Sequence, residues 1–370
     1  MHRIMAMVER DLRRFRRSPM LIVMSLLFPI VQLVVLGHAF GGQVRNLRLG
    51  VVDQDQRLPA VKLRELTVAV AGNAKTFETI NYSDSGQALE DLRNGRINGV
   101  LTIPPGFSQR VVENNAPRVA LIEDNTDGFV SATMIASVNG MISAYNEPDF
   151  KARIANQPRL DIVEVYPYVP YVQYLLPGSI VMSIFMMVMI GGGIIYIDDK
   201  ARGLHEGYLV TPISKFELIA GFNLSGTIKA VMAGMVCMVI GSLIAGIPDP
   251  LAPIRLLRIF VVILAASFAF VSMMFLLMVR VSDPLMPRAM FGVLNTLLFF
   301  PSGAVYPQQA FPGWLQVIAK VDPFTYVVHA LKSLLLKNTS FAAISYDLTF
   351  LFVFASVAVI LATLLFRRTL

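Results

Sequence analysis

The sequence predicts a polytopic α-helical membrane protein, with six transmembrane helices and an α/β extracytoplasmic domain between the first and the second. Three observations carry that reading. Hydrophobic residues make up 55% of the 370 and charged residues 15%, with a mean hydropathy of +0.60, well to the apolar side of a soluble domain. The apolar residues fall in runs long enough to cross the hydrocarbon of a bilayer. One long stretch between the first two runs has instead the mixed composition and short strand-like runs of a soluble domain.

Residues 1–19 read as an amphipathic cytoplasmic interfacial helix. Ile4, Val8, Leu12 and Phe15 recur at helical spacing on one face, with Arg3, Arg10, Arg13, Arg14, Arg16 and Arg17 elsewhere, a pattern that fits a helix lying on a membrane surface. The arginines act as a positive-inside anchor, or they also brace a cytosolic partner through Arg10, Arg13 and Arg14. The first transmembrane helix follows at 20–41; its apolar run of about 21 residues can span, which a cleaved signal peptide does not need to do. Pro29 inside it predicts a kink.

Residues 42–171 form the α/β extracytoplasmic domain. Strand-like runs at 47–52, 98–103, 119–123 and 162–166 alternate with helical patterns. Ser85 is placed to cap a helix that ends near Gly95, and Pro104, Pro105 and Gly106 turn the chain into a second helix at 107–113. A third helix is expected at 129–145. The acids Asp53, Asp55, Asp84, Asp91 and Glu123 sit at strand ends and helix starts, where carboxylates hold backbone amides. They are read as structural.

The remaining chain, 172–370, is a five-helix transmembrane domain. Its first run, 175–197, has no charge and carries Gly191, Gly192 and Gly193 together; three glycines permit a tight helix crossing, or a break that lines a pathway. The next run, 218–247, is apolar except for Asn223 and Lys229. Lys229 either snorkels to the inner surface or faces a polar cavity. Two more runs, 256–279 and 289–306, flank a charged turn at 280–288. Residues 307–338, divided by Pro307, Pro312 and Pro323 and carrying Trp314, Phe324 and Tyr326, read as a helical hairpin dipping into the outer leaflet. The last run, 344–366, ends at Arg367 and Arg368.

Six spans put both termini and the charged island 198–217 on the cytoplasmic side of the membrane. The basic N-terminal segment, Arg280, Arg288 and the terminal arginines support this orientation, whereas Arg255 and Arg258 on the outer side run against it. The net charge of +7 belongs mainly to Lys and Arg beside apolar runs, so it points to membrane lipids and topology rather than to nucleic acid. The one cysteine, Cys237, lies in an apolar run and leaves no disulfide or cysteine-based metal site within a chain. No G-x-x-x-x-G-K-[ST] phosphate loop, H-E-x-x-H or G-x-S-x-G occurs. No catalytic residue and no metal site is expected.

The island carries both signs of charge, one proline and a mixture of apolar residues, which suggests a folded contact surface. A short element joined rigidly to two membrane helices can transmit a partner's movement. Glu206 and Lys215 can pair with partner charges while Tyr208, Leu209 and Ile213 fill its groove.

Gly203, Glu206, Leu209, Val210, Thr211, Pro212 and Ile213, followed by Glu217, resemble the cytoplasmic loop of type-2 ATP-binding-cassette exporter permeases, with Leu204 where that family usually has Thr. The Val51, Val52, Asp53 strand, the turn from Ile103 through Pro104, Pro105, Gly106 and Phe107, and the segment from Ser302 and Gly303 to Pro312, Trp314 and Pro323 are similar to the same family in order and spacing. The resemblance implies a permease that pairs with a second permease copy or homologue and with ATP-binding-cassette ATPase subunits. ATP and Mg are then bound by the ATPase, and this chain holds no cofactor of its own. Lys200, Arg202, Gly203, His205, Glu206, Tyr208, Leu209, Thr211 and Pro212, with Arg10, Arg13 and Arg14, are the expected ATPase contact. Likeness to drug-efflux relatives also implies a periplasmic adaptor on the outer domain.

The expected function is therefore export of an amphiphilic or hydrophobic compound. Phe185, Met186, Asn223 and Lys229 are the candidate residues of a translocation path, in spans whose aromatic and methionine side chains serve equally as packing. The alternative is a membrane-anchored receptor or scaffold whose outer domain binds a ligand or partner; it predicts no ATPase partner and tolerance of charge reversal at Glu206.

Overall fold

The computed structural model of the protein describes residues 2–39, 47–74, 77–124, 128–146, 169–194, 213–281, 283 and 285–365. They fall into two compact units, one made of Met1–Gly41 with Val163–Leu370 and the other of Gly42–Ile162.

The larger unit opens with α1 (His2–Arg16), which buries Met7, Val8 and Phe15 and half-buries Ile4, Asp11 and Leu12 on the same side. This is the apolar stripe expected from the sequence, with an acid inside it. Next, α2 (Pro19–Ala39) contains Pro29. Leu33 is fully buried while Val23, Phe28, Val31 and Val35 are exposed, the one-sided burial of a helix whose other face meets lipid.

The smaller unit is built on β1 (Leu47–Asp53), α3 (Leu58–Ala74), β2 (Phe77–Tyr82), α4 (Ser85–Arg93), β3 (Gly99–Ile103), α5 (Phe107–Val112), β4 (Ala120–Glu123) and α6 (Gly128–Tyr145). The sheet runs β2-β1-β3-β4. Its centre is the parallel pair β1 and β3, with Val51 opposite Leu101, and β4 returns antiparallel to β3. Leu49, Val51, Leu101 and Ile103 join Ala60 and Leu63 of α3 and Met134, Val138 and Met141 of α6 in one core. Neither α3 nor β2 has a counterpart among the elements expected from the sequence, and the strand expected at 162–166 lies outside the described residues. The α4 cap also differs: Asp84, not Ser85, occupies the N-cap position and its carboxylate accepts from the Gly86 and Gln87 amides. A carboxylate bears more charge toward the helix N-terminus than a hydroxyl does.

The other acids do hold backbone amides. Asp53 accepts from Asp55 and Gln56, and Asp55 accepts from Gly106 at 2.9 Å and Ser108 at 3.0 Å, fixing the left-handed Gly106 turn (φ 77°) that starts α5. The Ser108 side chain first, then the Ser108 and Gly106 amides and the charge of Arg57, hold the Asp55 carboxyl below its ordinary value of 3.8. A carboxyl lowered on folding stabilises the fold above its unfolded pKa, and the contribution disappears as pH falls through the folded value. Hydrogen exchange at Gly106 and Ser108, corrected for intrinsic rate, should therefore accelerate only below pH 3.8. Asp55→Ala should show the faster exchange already at neutral pH.

Beyond this domain the larger unit resumes with α7 (Tyr171–Val188), buried almost throughout, which runs on into a π-helix at Met189–Ile194. Then come α8 (Lys215–Ala245), α9 (Pro253–Met278), α10 (Met286–Leu294) with a π-helical continuation at Asn295–Phe299, α11 (Gly313–Val321), α12 (Pro323–Leu336) and α13 (Ser345–Leu365). Among the described residues five helices are long and apolar enough to cross a membrane: Ile22–Ala39, Tyr171–Gly192, Lys215–Ala245, Pro253–Met278 and Phe341–Leu365. The run at 289–306, expected to complete six, is shorter. The nine residues of α10 and the five of its π-helical continuation together reach about 20 Å, against ~30 Å of hydrocarbon. Pro301 follows, Ser302 bonds back to the Phe299 carbonyl, and Gly303 takes φ 81°, which ends the helix.

Within this unit α7 packs against α2 and α8, and α9 against α8 and α13. A Cβ on Gly234 would lie 2.8 Å from Ile184 and 2.9 Å from Ile263, so α8 meets α7 and α9 across a bare backbone. Phe185 stacks on Phe291 (centroids 5.6 Å) and meets Phe324 edge-on at 5.1 Å. The two helices of the expected hairpin are α11 and α12, separated by Asp322, the N-cap of α12. Trp314, Val317 and Val321 of α11 are exposed, whereas Phe324, Val327, Leu331 and Leu334 of α12 are buried. Cys237 is buried with its Sγ 3.6 Å from the Ser179 carbonyl.

Candidate functional site

Lys200, Arg202, Gly203, His205, Glu206, Tyr208, Leu209, Thr211 and Pro212 lie outside the described residues. The structure describes both roots of that segment; α1 pairs with the far one through Arg3 and Glu217 and reaches the near one through Lys229 of α8. At the far root, Ser214 and Glu217 form a reciprocal capping box on α8: the Ser214 amide donates to the Glu217 carboxylate at 2.8 Å and the Glu217 amide to the Ser214 hydroxyl at 3.2 Å. This pairing satisfies two amides at the start of the helix. Arg3 of α1 stands 3.9 Å from the same carboxylate. At that distance, with Arg3 half exposed, the ion pair contributes little by itself.

The near root is held more firmly. Lys229 donates to Asp11 of α1 at 2.7 Å and also to the carbonyl of Gly191 in the π-helix, while Ser225 donates to the same Asp11 oxygen. The Lys229 side chain is 2% exposed and that of Asp11 12%. The Phe15 ring lies 5.7 Å from the ammonium. Three parts of the chain thus meet at one buried cation: the acid and ring of α1, Lys229 itself on α8 with Ser225 sharing the acid, and a carbonyl released by the π-helix.

Spacing explains the junction. Gly221, Ser225 and Lys229 recur every four residues on α8, and Met7, Asp11 and Phe15 recur every four on α1, so each set forms one ridge. Met7 lies on Gly221, where a Cβ would be 3.2 Å from its sulfur; Asp11 meets Ser225, and Phe15 reaches Lys229. Gly191 and Gly192 fall in the π-helix, a local departure from α geometry of the kind that frees carbonyls for other donors.

Lys229 therefore has a different setting from either expectation. It neither snorkels nor faces a cavity, because its ammonium finds a carboxylate inside the unit. Asn223 is buried too, donating to the Ile219 carbonyl and accepting from Ser272 at 3.0 Å, which ties α8 to α9. Phe185 is in the ring stack described above, and Met186 packs half-buried against the core. Of the basic residues expected at the contact, Arg10 and Arg13 are exposed, Arg13 paired with Glu9, and Arg14 is half-buried. Asp11 is the residue that sequence reasoning missed. Its signal is the position between Met7 and Phe15, an acid on the apolar stripe of an otherwise basic helix.

In sequence the chain is similar to the probable multidrug ABC transporter permeases YbhS and YbhR of Escherichia coli (strain K12). Identity to YbhS is 22% over 350 residues, covering 90% of this chain and 88% of YbhS; identity to YbhR is 21% over 374 residues, 99% of each. It is also similar to ABC transporter G family member 20 of Dictyostelium discoideum, 22% identical over 349 residues and 90% of this chain. There it spans 46% of the relative's length. The family described as ABC-2 family transporter protein matches residues 19–364, from the first residue of α2 to one short of the end of α13, and the chain belongs to that family as a membrane permease.

Proposed function

We propose that the chain is the permease subunit of an ATP-driven exporter that moves an amphiphilic or hydrophobic compound, drug-like or lipid-like, out of the cytoplasm or inner membrane. A separate ATPase, which binds ATP and Mg, docks on 198–217 and on the exposed face of α1. A second permease copy or homologue completes the transporter. The N-terminus and 198–217 face the cytoplasm, residues 42–171 face outward, and a periplasmic adaptor joins them there. The names of the Escherichia coli relatives favour a drug-like cargo.

The observation that carries this reading is the anchorage of α1 to both roots of 195–212, through Arg3 and Glu217 at one and through Asp11, Lys229 and Gly191 at the other. A partner that pushes the loop pushes α7 through the π-helix and α8 through its capped first turn. Because α1 is bonded to α8, and Lys229 of α8 is bonded to the π-helix, neither helix yields alone. A flexible attachment would absorb the movement instead.

Glu206→Arg tests the docking. Purified in mild detergent from cells that also make the neighbouring ATPase, the unaltered chain should carry the ATPase with it. Charge reversal at the contact should weaken that retention about tenfold or more. Absence of any ATPase, together with unchanged cellular export after deletion of 200–211, would falsify the exporter reading and favour the receptor alternative.

A further inference from the structure

The end of α8 remote from α1 carries a polar construction that the coupling argument does not use. With 31 residues in α8, the two ends lie about 46 Å apart at ~1.5 Å per residue. Beyond Gly246 the chain turns into α9, and a cavity of about 500 Å³ opens there, with Asp249, Arg255, Arg258 and Lys337 among its walls. Three cations face one carboxylate. Arg255 and Arg258 are the same arginines that run against the charge pattern of the rest of the membrane unit, so topology does not account for them.

Arg255 is 8% exposed. Its Nη1 donates to the Pro248 carbonyl at 2.6 Å and its Nη2 to the Leu335 carbonyl, and its buried Nε has no partner among the described residues. A guanidinium stays charged, and a buried donor without an acceptor is destabilising. Arg258, one turn on, donates to the Thr339 carbonyl at 3.0 Å and lies 5.9 Å from the Phe341 ring centroid. Lys337 is exposed at the mouth. The N-cap of α9 is Ala252, followed by Pro253, and makes no side-chain cap, so the first-turn amides of Ile254 and Arg255 also lack a side-chain acceptor. An uncapped helix N-terminus beside an unsatisfied guanidinium suits an oxyanion.

We infer that this cavity binds a phosphate group, held by Arg258, Lys337 and the first-turn amides of α9, with the charge of Arg255 in the wall behind them. An excess of two cations over the Asp249 carboxylate suits phosphate better than a carboxylate ligand, which would leave a cation uncompensated. Leu251, Ile254 and Leu257 are exposed beside it and form an apolar rim against which acyl chains can lie. The phosphate belongs either to an anionic lipid headgroup or to a free anion. The site does not depend on the ATPase arrangement.

The test uses the full chain in a neutral detergent. Retention of added phosphatidylglycerol is read by native mass spectrometry, and uptake of radiolabelled inorganic phosphate by equilibrium dialysis. The variant Arg258→Gln with Lys337→Gln keeps both Arg255 carbonyl bonds and so removes charge without removing the brace. Lys337→Gln alone changes only an exposed side chain, and Lys320→Gln, an exposed cation on α11, is the control. Lipid retention should fall about tenfold in the double variant, severalfold in Lys337→Gln, and not in the control; this outcome identifies the headgroup as the ligand. Phosphate uptake with the same dependence on the variants and no lipid retention supports the site with a free anion as its ligand. Retention and uptake unaffected by Lys337→Gln and by the double variant, or lowered equally by the control, overturn the proposal.

Discussion

Asp11→Ala should destabilise the membrane unit by about 3–5 kcal/mol, the usual effect of removing one partner of a buried ion pair. Lys229 would keep the Gly191 carbonyl and the Phe15 ring but lose the only formal negative charge described in its contacts. The penalty comes from the stranded ammonium, not from the worth of the pair, so a second substitution separates the two. Asp11→Ala with Lys229→Met removes both charges and puts an apolar chain of similar length beside Phe15 and Gly191. Replacing both partners of a buried pair is often neutral or stabilising, so its melting temperature in detergent should return to near that of the unaltered chain. If α1 couples the loop to the helices, this restored protein should still export less per ATP hydrolysed. Equal melting of the single and unaltered proteins would show that the cation is hydrated and the junction loose.

The second large effect is expected at Gly234. A Cβ there meets a β-branched isoleucine on each of two helices, 2.8 Å and 2.9 Å away. Both Ile184 and Ile263 are fully buried, and a β-branched side chain has little χ1 freedom with which to retreat. Gly234→Ala should cost about 1–3 kcal/mol and Gly234→Val more, because overpacking moves backbone as well as side chains. Gly292 in α10 is the control, since nothing lies within 4 Å of its Cβ position. There Ala should leave stability unchanged or raise it by about 0.5–1 kcal/mol. Thermal unfolding of the three proteins under one detergent condition decides the matter; similar losses at 234 and 292 would mean that the α7–α8–α9 contact is not close-packed.

The sequence was most legible where lipid imposes its demand. A helix crossing hydrocarbon must be apolar over most of its length, so 20–41, 175–197, 218–247, 256–279 and 344–366 could be read directly. The run at 289–306 has the composition of a span, but Asn295, Pro301 and Gly303 divide it, and their effect on helix length outweighed the average hydropathy. In the α/β domain, β1, β3 and β4 stood out as apolar runs. β2 did not, because only Phe77 of its six residues is deeply buried, and α3 did not, because small or polar Ala60 and Thr67 stand beside Leu63 on its buried side.

For the candidate site, the spacing from Gly203 to Ile213 marked the loop, and the amphipathic stripe marked α1. What joined them was hidden. The partner of Lys229 lies 218 positions away in the chain, and local pattern carries no information over that distance. Asp11 looked like one more charge on a charged helix until the packing of Met7 and Phe15 showed which way it faced.

The lone thiol has a practical consequence. A cysteine buried in a helix bundle reacts slowly with polar reagents, so Cys237 leaves the unaltered protein nearly silent to maleimide dyes. Single cysteines introduced at His205 and on α1 can be labelled without first rebuilding the background. The separation of the loop from its brace can then be followed by fluorescence energy transfer while the transporter turns over.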